Sequence, residues 1–159
     1  MTWTSPDLAD NFPGNVVALE LQMQSYGLKT QFCGQIVTVK CFEDNSFVKE
    51  LAATDGRGKV LVVDGGGSIR RALLGDMIAA NFVKNGWEGI IINGVIRDVE
   101  IINTLAFGVK ALGCVPLKTD KRGEGQKYIP VAFGNVNFTE AHYVYSDGSG
   151  ILVSDKALL

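Results

Sequence analysis

The sequence predicts an α/β domain in which helices are layered on a mixed β-sheet. Two apolar runs, 59–63 and 89–92, have the composition of parallel strands that are buried on both faces. The segment between them has apolar residues at helical spacing, which indicates a strand–helix–strand unit with a right-handed crossover. The last third contains β-rich pairs, 131–138 and 143–153, with turn residues inside each pair. This pattern is typical of antiparallel hairpins.

Length and composition exclude several classes of protein. The 159 residues predict one domain, residues 1–159, that is long enough to bury a core. A hydrophobic content of 47% argues against disorder, and a net charge of −2 gives no general attraction to nucleic acid or to an anionic membrane. There is no apolar run of about 20 residues and no basic segment before an apolar core at the N-terminus. We therefore expect a cytoplasmic protein without a direct nucleic-acid or membrane partner.

The remaining elements follow from local signals. Ser5 is predicted as the N-cap of a short helix that has Pro6 in its first turn and continues to Asn11. Segment 16–23 is apolar without a decisive period, so its type stays open. Further along the chain we predict a strand at 31–42, a helix at 46–53 capped by Asn45 with Phe47, Val48 and Leu51 on one face, a helix at 99–105, a strand at 108–115 and a polar loop at 117–127.

The central helix begins at Gly75-Asp76 and ends at Asn85-Gly86 by the usual start and stop signals. Its apolar face is predicted from Leu74, Met77, Ile78 and Phe82. The loops after the two flanking strands, 64–67 and 94–98, then lie at one edge of the sheet. This carboxyl edge is where open α/β sheets bind their ligands.

The triple glycine Gly65-Gly66-Gly67 follows the first central strand. It matches neither the dinucleotide fingerprint nor the phosphate-binding P-loop, because neither pattern continues after it. Two interpretations stay open. The glycines allow a sharp turn, or they let the backbone approach a small ligand closely.

The start of the central helix is a candidate anion site. The backbone N–H groups of residues 75–78 (Gly75, Asp76, Met77 and Ile78) are expected to lack partners within the helix, and the helix dipole favours a carboxylate or phosphate there. The alternative is that Asp76 only caps its own helix.

Arg97-Asp98 follows the second central strand and is the other candidate. An arginine can bind a carboxylate through its planar fork or stabilise a developing oxyanion. A single aspartate can hold a hydrated Mg²⁺-type cation. The alternative is an ordinary surface ion pair.

Other reactive residues give weaker signals. The only histidine, His142, has no acid or nucleophile at a suggestive spacing and is interpreted as a hydrogen-bonded structural residue. The three cysteines are predicted to be buried free thiols, because their spacing fits neither a zinc site nor a disulfide framework. A basic cluster in the polar loop, interleaved with acids, is either solvated or binds a partner. Its members are Lys118, Lys121, Arg122 and Lys127.

Asp76, twenty intervening residues and then Arg97-Asp98 resemble the D-x20-R-D motif of the class II 4-hydroxy-4-methyl-2-oxoglutarate/4-carboxy-4-hydroxy-2-oxoadipate aldolases. Nearly the whole chain also resembles the family of the regulator of ribonuclease activity A. Two segments typical of that branch are FCGQIVTVKCFEDN and GKVLVVDGGGSIRRALLGD. The resemblance implies a layered β/β/α swivelling-type domain, assembled as a homotrimer with active sites between subunits.

The resemblance also implies a role for each motif residue. Asp98 would ligate a divalent cation, Mg²⁺ or Mn²⁺, and Arg97 would contact the oxygens of a pyruvyl group. The N–H groups of residues 75–78 would bind the substrate carboxylate, and Asp76 would orient a metal-bound water. The expected activity is cleavage of 4-hydroxy-4-methyl-2-oxoglutarate, a 2-oxo acid, with oxaloacetate decarboxylation as a companion reaction.

One feature of the aldolases has no counterpart here. The longer members carry a C-terminal extension that supplies an acidic residue to the neighbouring subunit's site. No such segment follows the last predicted strand. We therefore expect the missing acidic residue to lower the efficiency of cleavage of the large aldol substrate more than it affects the enolate chemistry itself. A hypothesis of a different class is a non-catalytic regulator that binds and inhibits an endoribonuclease of the RNase E type.

Overall fold

The computed structural model describes residues 2–159. The helices are α1 Ser5–Asn11, α2 Ser46–Ala52, α3 Asp76–Lys84 and α4 Val99–Ile102. The strands are β1 Val16–Ala18, β2 Gln24–Tyr26, β3 Phe32–Lys40, β4 Lys59–Asp64, β5 Ala72–Leu74, β6 Gly89–Ile96, β7 Gly108–Cys114, β8 Gln126–Lys127, β9 Val131–Phe133, β10 Val136–Phe138, β11 Tyr143–Asp147 and β12 Gly150–Ser154.

One ten-stranded mixed sheet forms the middle of the molecule. Its main path is β1-β12-β11-β3-β4-β6-β7-β2, with β5 beside β6 and β8 beside β3. Strands β3, β4, β6 and β7 are parallel to one another, and β11, β12, β1 and β2 pair in antiparallel fashion. The predicted α/β class with a mixed sheet is therefore confirmed.

The sheet is covered on both faces, which gives three layers. Alternate residues of β4 point in opposite directions, so Leu61 and Val63 face helices α2, α3 and α4, and Val60 and Val62 face the β9–β10 hairpin. All four side chains are fully buried. This two-sided burial explains why the central strands are continuous apolar runs rather than alternating ones. The order of layers, hairpin then sheet then helices, is the expected β/β/α arrangement.

The predicted helix start at the N-terminus was off by one residue. Thr4 is the N-cap, and its side chain accepts a hydrogen bond from the Asp7 N–H. Ser5 instead donates both its N–H and its hydroxyl to the carboxylate of Asp147, at 2.6 and 2.7 Å. Ser5, which local signals favoured as the cap, is therefore bound to the β11–β12 hairpin instead.

Two features of the central unit also differ from the prediction. Leu74 belongs to the short strand β5, which pairs with β6, and not to the face of α3. Met77 is 79% exposed, so only Ile78 and Phe82 of the predicted face reach the core. Helix α3 does begin at Asp76, with Gly75 as its N-cap, and ends at Lys84 as predicted.

Smaller corrections concern the element ends. Asn45 is the N-cap of α2 but forms no side-chain cap bond, because its side chain is bonded to Leu73 and Thr119 instead. Strand β6 continues to Ile96, and α4 ends at Ile102 rather than at residue 105. The undecided segment 16–23 forms the short strand β1, after which Leu19, Leu21 and Met23 pack on the hairpin side of the sheet.

Helix length also bears on the membrane question. Among the described residues, we find no helix whose length and apolar character would allow it to cross a membrane.

Candidate active site

The fold brings Asp76, Arg97 and Asp98 together at the carboxyl edge of the sheet. Strands β5 and β6 are parallel, with Leu74 opposite Ile96, so the residues that follow each strand are neighbours. The Arg97 N–H donates to the Leu74 carbonyl oxygen at 2.9 Å, which continues the pairing beyond the strand ends. The sequence prediction that these residues share one edge is therefore correct.

Asp98 has an unusual backbone conformation. Its φ of 59° and ψ of 38° lie in the left-handed region, which costs a residue other than glycine about 1–3 kcal/mol. Its Oδ2 atom accepts a hydrogen bond from the Asp76 N–H at 3.0 Å and lies 3.9 Å from the Arg97 Nε atom. Such a conformation is often kept at functional sites, so its presence next to Arg97 supports a functional role for the pair.

The helix start has fewer free donors than predicted. The Asp76 N–H already donates a hydrogen bond to the Asp98 carboxylate, and the Met77 N–H donates to the Asp76 side chain at 2.9 Å. The N–H groups of Gly75 and Ile78 have no protein partner among the described residues. The prediction of four free donors was wrong for two of them, because the positive end of the helix dipole attracts carboxylates of the chain itself.

A cavity of about 160 Å³ lies beside this helix start. Residues that carry charge or hydrogen-bonding groups line much of it, namely Asn45, Lys49, Gly75, Asp76, Arg97, Lys118 and Lys121. Four of these side chains are cationic and one is acidic, so the cavity favours an anion. Its size suits a small acid, since pockets for drug-sized ligands usually measure about 300–1,000 Å³.

Lys49, Lys118 and Lys121 line the cavity, although none of them was a sequence candidate for this site. The basic cluster of the polar loop, predicted to be either solvated or partner-binding, is divided in the structure. Arg122 pairs with Glu124 and Lys127 pairs with Glu50, whereas Lys118 and Lys121 face the cavity. The sequence did contain a signal for Lys118 and Lys121. Their loop follows the predicted strand 108–115, and the carboxyl end of that strand is expected at the same edge of the sheet as Arg97.

The residues present fit a cation that keeps most of its water. The Oδ1 atom of Asp98 accepts no hydrogen bond from the described chain, and the side chain is 34% exposed. Residues 2–159 contain no cluster of three or more His, Cys, Asp or Glu side chains that could enclose a metal ion. Mg²⁺ and Mn²⁺ prefer oxygen ligands, and Mg²⁺ usually binds through one or two carboxylates plus water and substrate.

A second cleft, of about 330 Å³, is also lined by Arg97 and Asp98 and contains Cys114. The prediction that all cysteines are buried was therefore wrong for Cys114, which is exposed, and for Cys33, which is half-buried. Cys41 is buried, and desolvation, reinforced by the charges of Asp44 and Asp64, raises its pKa to about 12. All three are free thiols, as predicted.

The other sequence candidates lie outside the charged group. The triple glycine forms a turn in which Gly66 and Gly67 have positive φ values and Gly65 and Gly67 donate to the Asn93 carbonyl oxygen. This agrees with its interpretation as a sharp turn. His142 lines a separate cleft beside β10 and β12, and its ring makes no hydrogen bond within residues 2–159. The expected side-chain bond of this histidine is thus not found.

The three layers and the charged sheet edge define a class: β/β/α proteins with a small, mainly cationic cavity where their parallel strands end. More specifically, the chain belongs to the RraA-like family, described as Aldolase/RraA, whose model matches residues 5–153.

Individual relatives cover nearly the whole chain. A protein of Azotobacter vinelandii named "Putative 4-hydroxy-4-methyl-2-oxoglutarate aldolase" is 52% identical over 158 residues, which is 99% of this chain and 98% of the relative. The crystal structure of a Geobacillus kaustophilus protein named S-adenosylmethionine:2-dimethylmenaquinone methyltransferase matches with a TM-score of 0.96 and 44% identity, over 98% of this chain and 97% of that one. The RNA-processing inhibitor RraA from Thermus thermophilus matches with a TM-score of 0.96 and 33% identity, over 100% and 96% of the two chains.

Proposed function

We propose that this protein is a divalent-metal-dependent lyase. It cleaves 4-hydroxy-4-methyl-2-oxoglutarate into two molecules of pyruvate and also decarboxylates oxaloacetate. The observation that carries the proposal is the placement of Arg97 and Asp98 against the start of α3, at the edge where the cationic cavity opens. The aldolase name of the Azotobacter relative supports the same activity.

Both reactions pass through the enolate of pyruvate. In the aldol cleavage, the C3–C4 bond breaks, the C4 hydroxyl loses its proton to become a carbonyl, and the electron pair stays on the pyruvyl fragment. In the decarboxylation, carbon dioxide leaves in place of the second carbonyl fragment. Each reaction ends when C3 takes up a proton. A catalyst for both must therefore stabilise the negative charge that develops on the C2 oxygen.

Residues of this chain are suited to the separate tasks. The Arg97 guanidinium can donate to the C2 oxygen as its charge grows. The N–H groups of Gly75 and Ile78, which have no partner in the described chain, can hold the C1 carboxylate at the positive end of the α3 dipole. The Asp76 carboxylate can orient a water that moves the proton. A divalent cation held by Asp98 would supply Lewis-acid stabilisation of the same enolate oxygen.

The cavity favours this proposal over the methyl transfer named for the Geobacillus relative. Its lining carries four cationic side chains and no aromatic ring. A nucleoside cofactor such as S-adenosylmethionine is instead expected to need a larger pocket that is lined mainly by apolar and aromatic side chains. A compact acid with more than one negative charge suits this cavity better.

We also propose that the protein assembles as a homotrimer and that its site is completed by a neighbouring subunit. Several large apolar side chains are exposed near the carboxyl edge of the sheet. Among them, Phe42 is 54%, Ile69 is 64% and Leu117 is 53% exposed. Ile69 and Leu117 line the same surface depression, where a partner would bury them.

A second candidate function is inhibition of an endoribonuclease by protein–protein contact. The match to the Thermus inhibitor over the full length of this chain favours it. Such binding would not need the enolate chemistry. Inhibition of a ribonuclease that survives Asp98→Asn would support this function, and the two functions can coexist in one protein.

The direct test is pyruvate release from oxaloacetate by the purified protein. We expect turnover with Mg²⁺ or Mn²⁺ that falls to the spontaneous rate when EDTA removes the metal, and that returns when excess metal is added back, because the cation stabilises the enolate charge. Lactate dehydrogenase coupling measures the pyruvate, and 4-hydroxy-4-methyl-2-oxoglutarate is assayed in the same way. No metal-dependent pyruvate above the protein-free control, from either substrate, would refute the proposed activity.

Gly75 provides a test of the site geometry. A Cβ atom at this position would lie 2.9 Å from the Asp98 Oδ2 atom and 3.5 Å from the Arg97 Nε atom. The φ of −125° is accessible to alanine, so the fold should tolerate the change. We expect Gly75→Ala to lower kcat/KM for oxaloacetate by roughly tenfold, or about 1.4 kcal/mol, by displacing the Asp98 carboxylate.

Gly148 is the matched control for Gly75. It lies in the β11–β12 turn, and a Cβ there would meet no atom within 4 Å. Gly148→Ala should leave the activity unchanged. If Gly75→Ala were as active as the wild type, the close packing of Asp98 on the helix start would have no part in catalysis.

A further inference from the structure

We propose that Lys118 and Lys121 bind the second carboxylate of the substrate and so select dicarboxylic 2-oxo acids over monocarboxylic ones, and that Asp44 positions the loop that carries them. This inference rests on the proposed lyase function, whose pyruvyl half is held by other residues. It assigns the part of the site that distinguishes oxaloacetate from pyruvate.

Both lysines are free to bind an anion. Neither forms a salt bridge within residues 2–159, and the same is true of Lys49, the third lysine of the cavity. Their basic neighbours in the chain, Arg122 and Lys127, are paired with glutamates. Charges that converge on one cavity without internal partners favour a ligand that carries more than one negative charge.

Lys118 and Arg97 flank β5 from opposite sides. Strand β5 pairs with β6, which ends at Ile96 just before Arg97, and on its other side Ala72 forms a parallel bridge with Lys118. The Ala72 N–H donates to the Leu117 carbonyl oxygen at 2.8 Å. With strands about 4.8 Å apart, the two backbones are separated by two strand spacings. Lys118 can therefore reach a second carboxylate while Arg97 holds the pyruvyl end, and Lys121 lines the same cavity.

The loop is tied to α2 by a fully buried carboxylate. Asp44 is 0% exposed, and it accepts hydrogen bonds from the Arg122 N–H at 2.8 Å and the Glu124 N–H at 3.1 Å. It also accepts from the N–H and the hydroxyl of Ser46, at 3.0 and 2.5 Å. The Ser46 hydroxyl in turn accepts from the Gly123 N–H at 3.0 Å. Three consecutive residues of the loop are thus fixed in place.

A second tie holds the loop on the other side of Lys121. The Thr119 hydroxyl donates to the Asn45 side chain at 2.7 Å, and the Asn45 amide donates to the Leu73 carbonyl oxygen at 3.2 Å. Lys121 therefore lies between two anchored points, with a fixed backbone and a free side chain. Burial alone would raise the pKa of Asp44, but its hydrogen bonds from Ser46, Glu124 and Arg122 outweigh this and lower the pKa to about 2. The anchor is thus ionised at any working pH.

The test compares a dicarboxylic and a monocarboxylic substrate. In Lys118→Met and Lys121→Met we expect KM for oxaloacetate to rise about five- to tenfold each, with kcat within about twofold, because only binding energy is lost. Exchange of the pyruvate methyl protons with D₂O, followed by NMR, should stay within about twofold, since pyruvate has no second carboxylate. Lys84→Met, an exposed and unpaired lysine at the far end of α3, controls for net charge.

Two outcomes would overturn the inference. Equal losses with both substrates would place the lysines in the enolate chemistry or in the fold, and no loss with either would make them solvated side chains only. Calorimetric binding of the unreactive 2-oxoglutarate, compared with pyruvate, separates this inference from the proposed function. A wild type that turns nothing over but binds 2-oxoglutarate more tightly in a lysine-dependent way would refute the lyase function and support the carboxylate site.

Asp44 is tested as a positioning residue. Asp44→Asn keeps the shape but removes the charge, so the loop should loosen, and trypsin should cleave after Lys118, Lys121 or Arg122 at least about tenfold faster. KM for oxaloacetate should rise while pyruvate exchange is retained. Unchanged trypsin resistance together with an unchanged KM would show that Asp44 does not position this loop.

Discussion

Replacement of Asp98 by asparagine is expected to lower the metal-dependent release of pyruvate from oxaloacetate by about 10³-fold or more, because the proposed cation would lose the carboxylate that is proposed to bind it. Asparagine is nearly isosteric with aspartate and tolerates a positive φ, so the backbone at 59° should be kept. Its amide oxygen can still accept from the Asp76 N–H. The loss would therefore report charge at the metal and not a change of fold.

The measurement is kcat/KM across a titration of Mn²⁺, together with the melting temperature of each variant. We expect Asp98→Asn to melt within about 2 °C of the wild type, since the position is partly exposed. Asp10→Asn, the same chemical change on the exposed side of α1, should retain full activity. A variant Asp98→Asn that keeps metal-dependent turnover would remove Asp98 from the metal site.

The second large effect is expected for Arg97. Substitution by lysine keeps the charge but replaces a planar fork with a single ammonium group, so it should lower kcat for oxaloacetate by about 10²-fold. Substitution by methionine removes the charge as well and should cost about 10³-fold. Both losses should appear in kcat more than in KM, because the arginine is proposed to act on charge that develops only in the transition state.

Stability should change little in either Arg97 variant. The bond from the Arg97 N–H to Leu74 belongs to the backbone, and the side-chain contact with Asp98 is long, at 3.9 Å, and more than a third exposed. Arg57→Lys, at an exposed arginine paired with Asp55, is the matched control and should be fully active. If Arg97→Met retained more than about a tenth of the wild-type kcat, the enolate oxygen would have to be stabilised by other groups.

Local patterns were sufficient for most of the fold. The apolar runs that became β4 and β6 were identified because strands buried on both faces are composed mainly of apolar residues. Helix α3 was predicted to within one residue at each end, since glycine and asparagine mark its boundaries through their own backbone preferences. The hairpin β9–β10 followed from Gly134-Asn135, both of which adopt positive φ values in the turn.

Features that depend on distant partners were mispredicted. Strand β5 has only three residues, too few for any periodicity, and it exists because β6 lies beside it. Ser5 lost the cap position to Thr4 because Asp147, 142 residues away, binds Ser5 instead. In both cases a long-range hydrogen bond outweighs a local preference of about 1 kcal/mol.

The sequence by itself determined the mixed α/β class and made Asp76, Arg97 and Asp98 candidates, through the sheet edge at which it places them and through the motif that they resemble. Only the tertiary structure decided which N–H groups of α3 are already occupied and which lysines share a cavity with Arg97. The physical reason is that the cavity is built from segments around residues 45, 75, 97 and 118–121, and side-chain contacts between such distant segments have no period in the sequence. Asp44 is the clearest example, because its buried carboxylate accepts hydrogen bonds from backbone N–H groups 78 and 80 residues further along the chain.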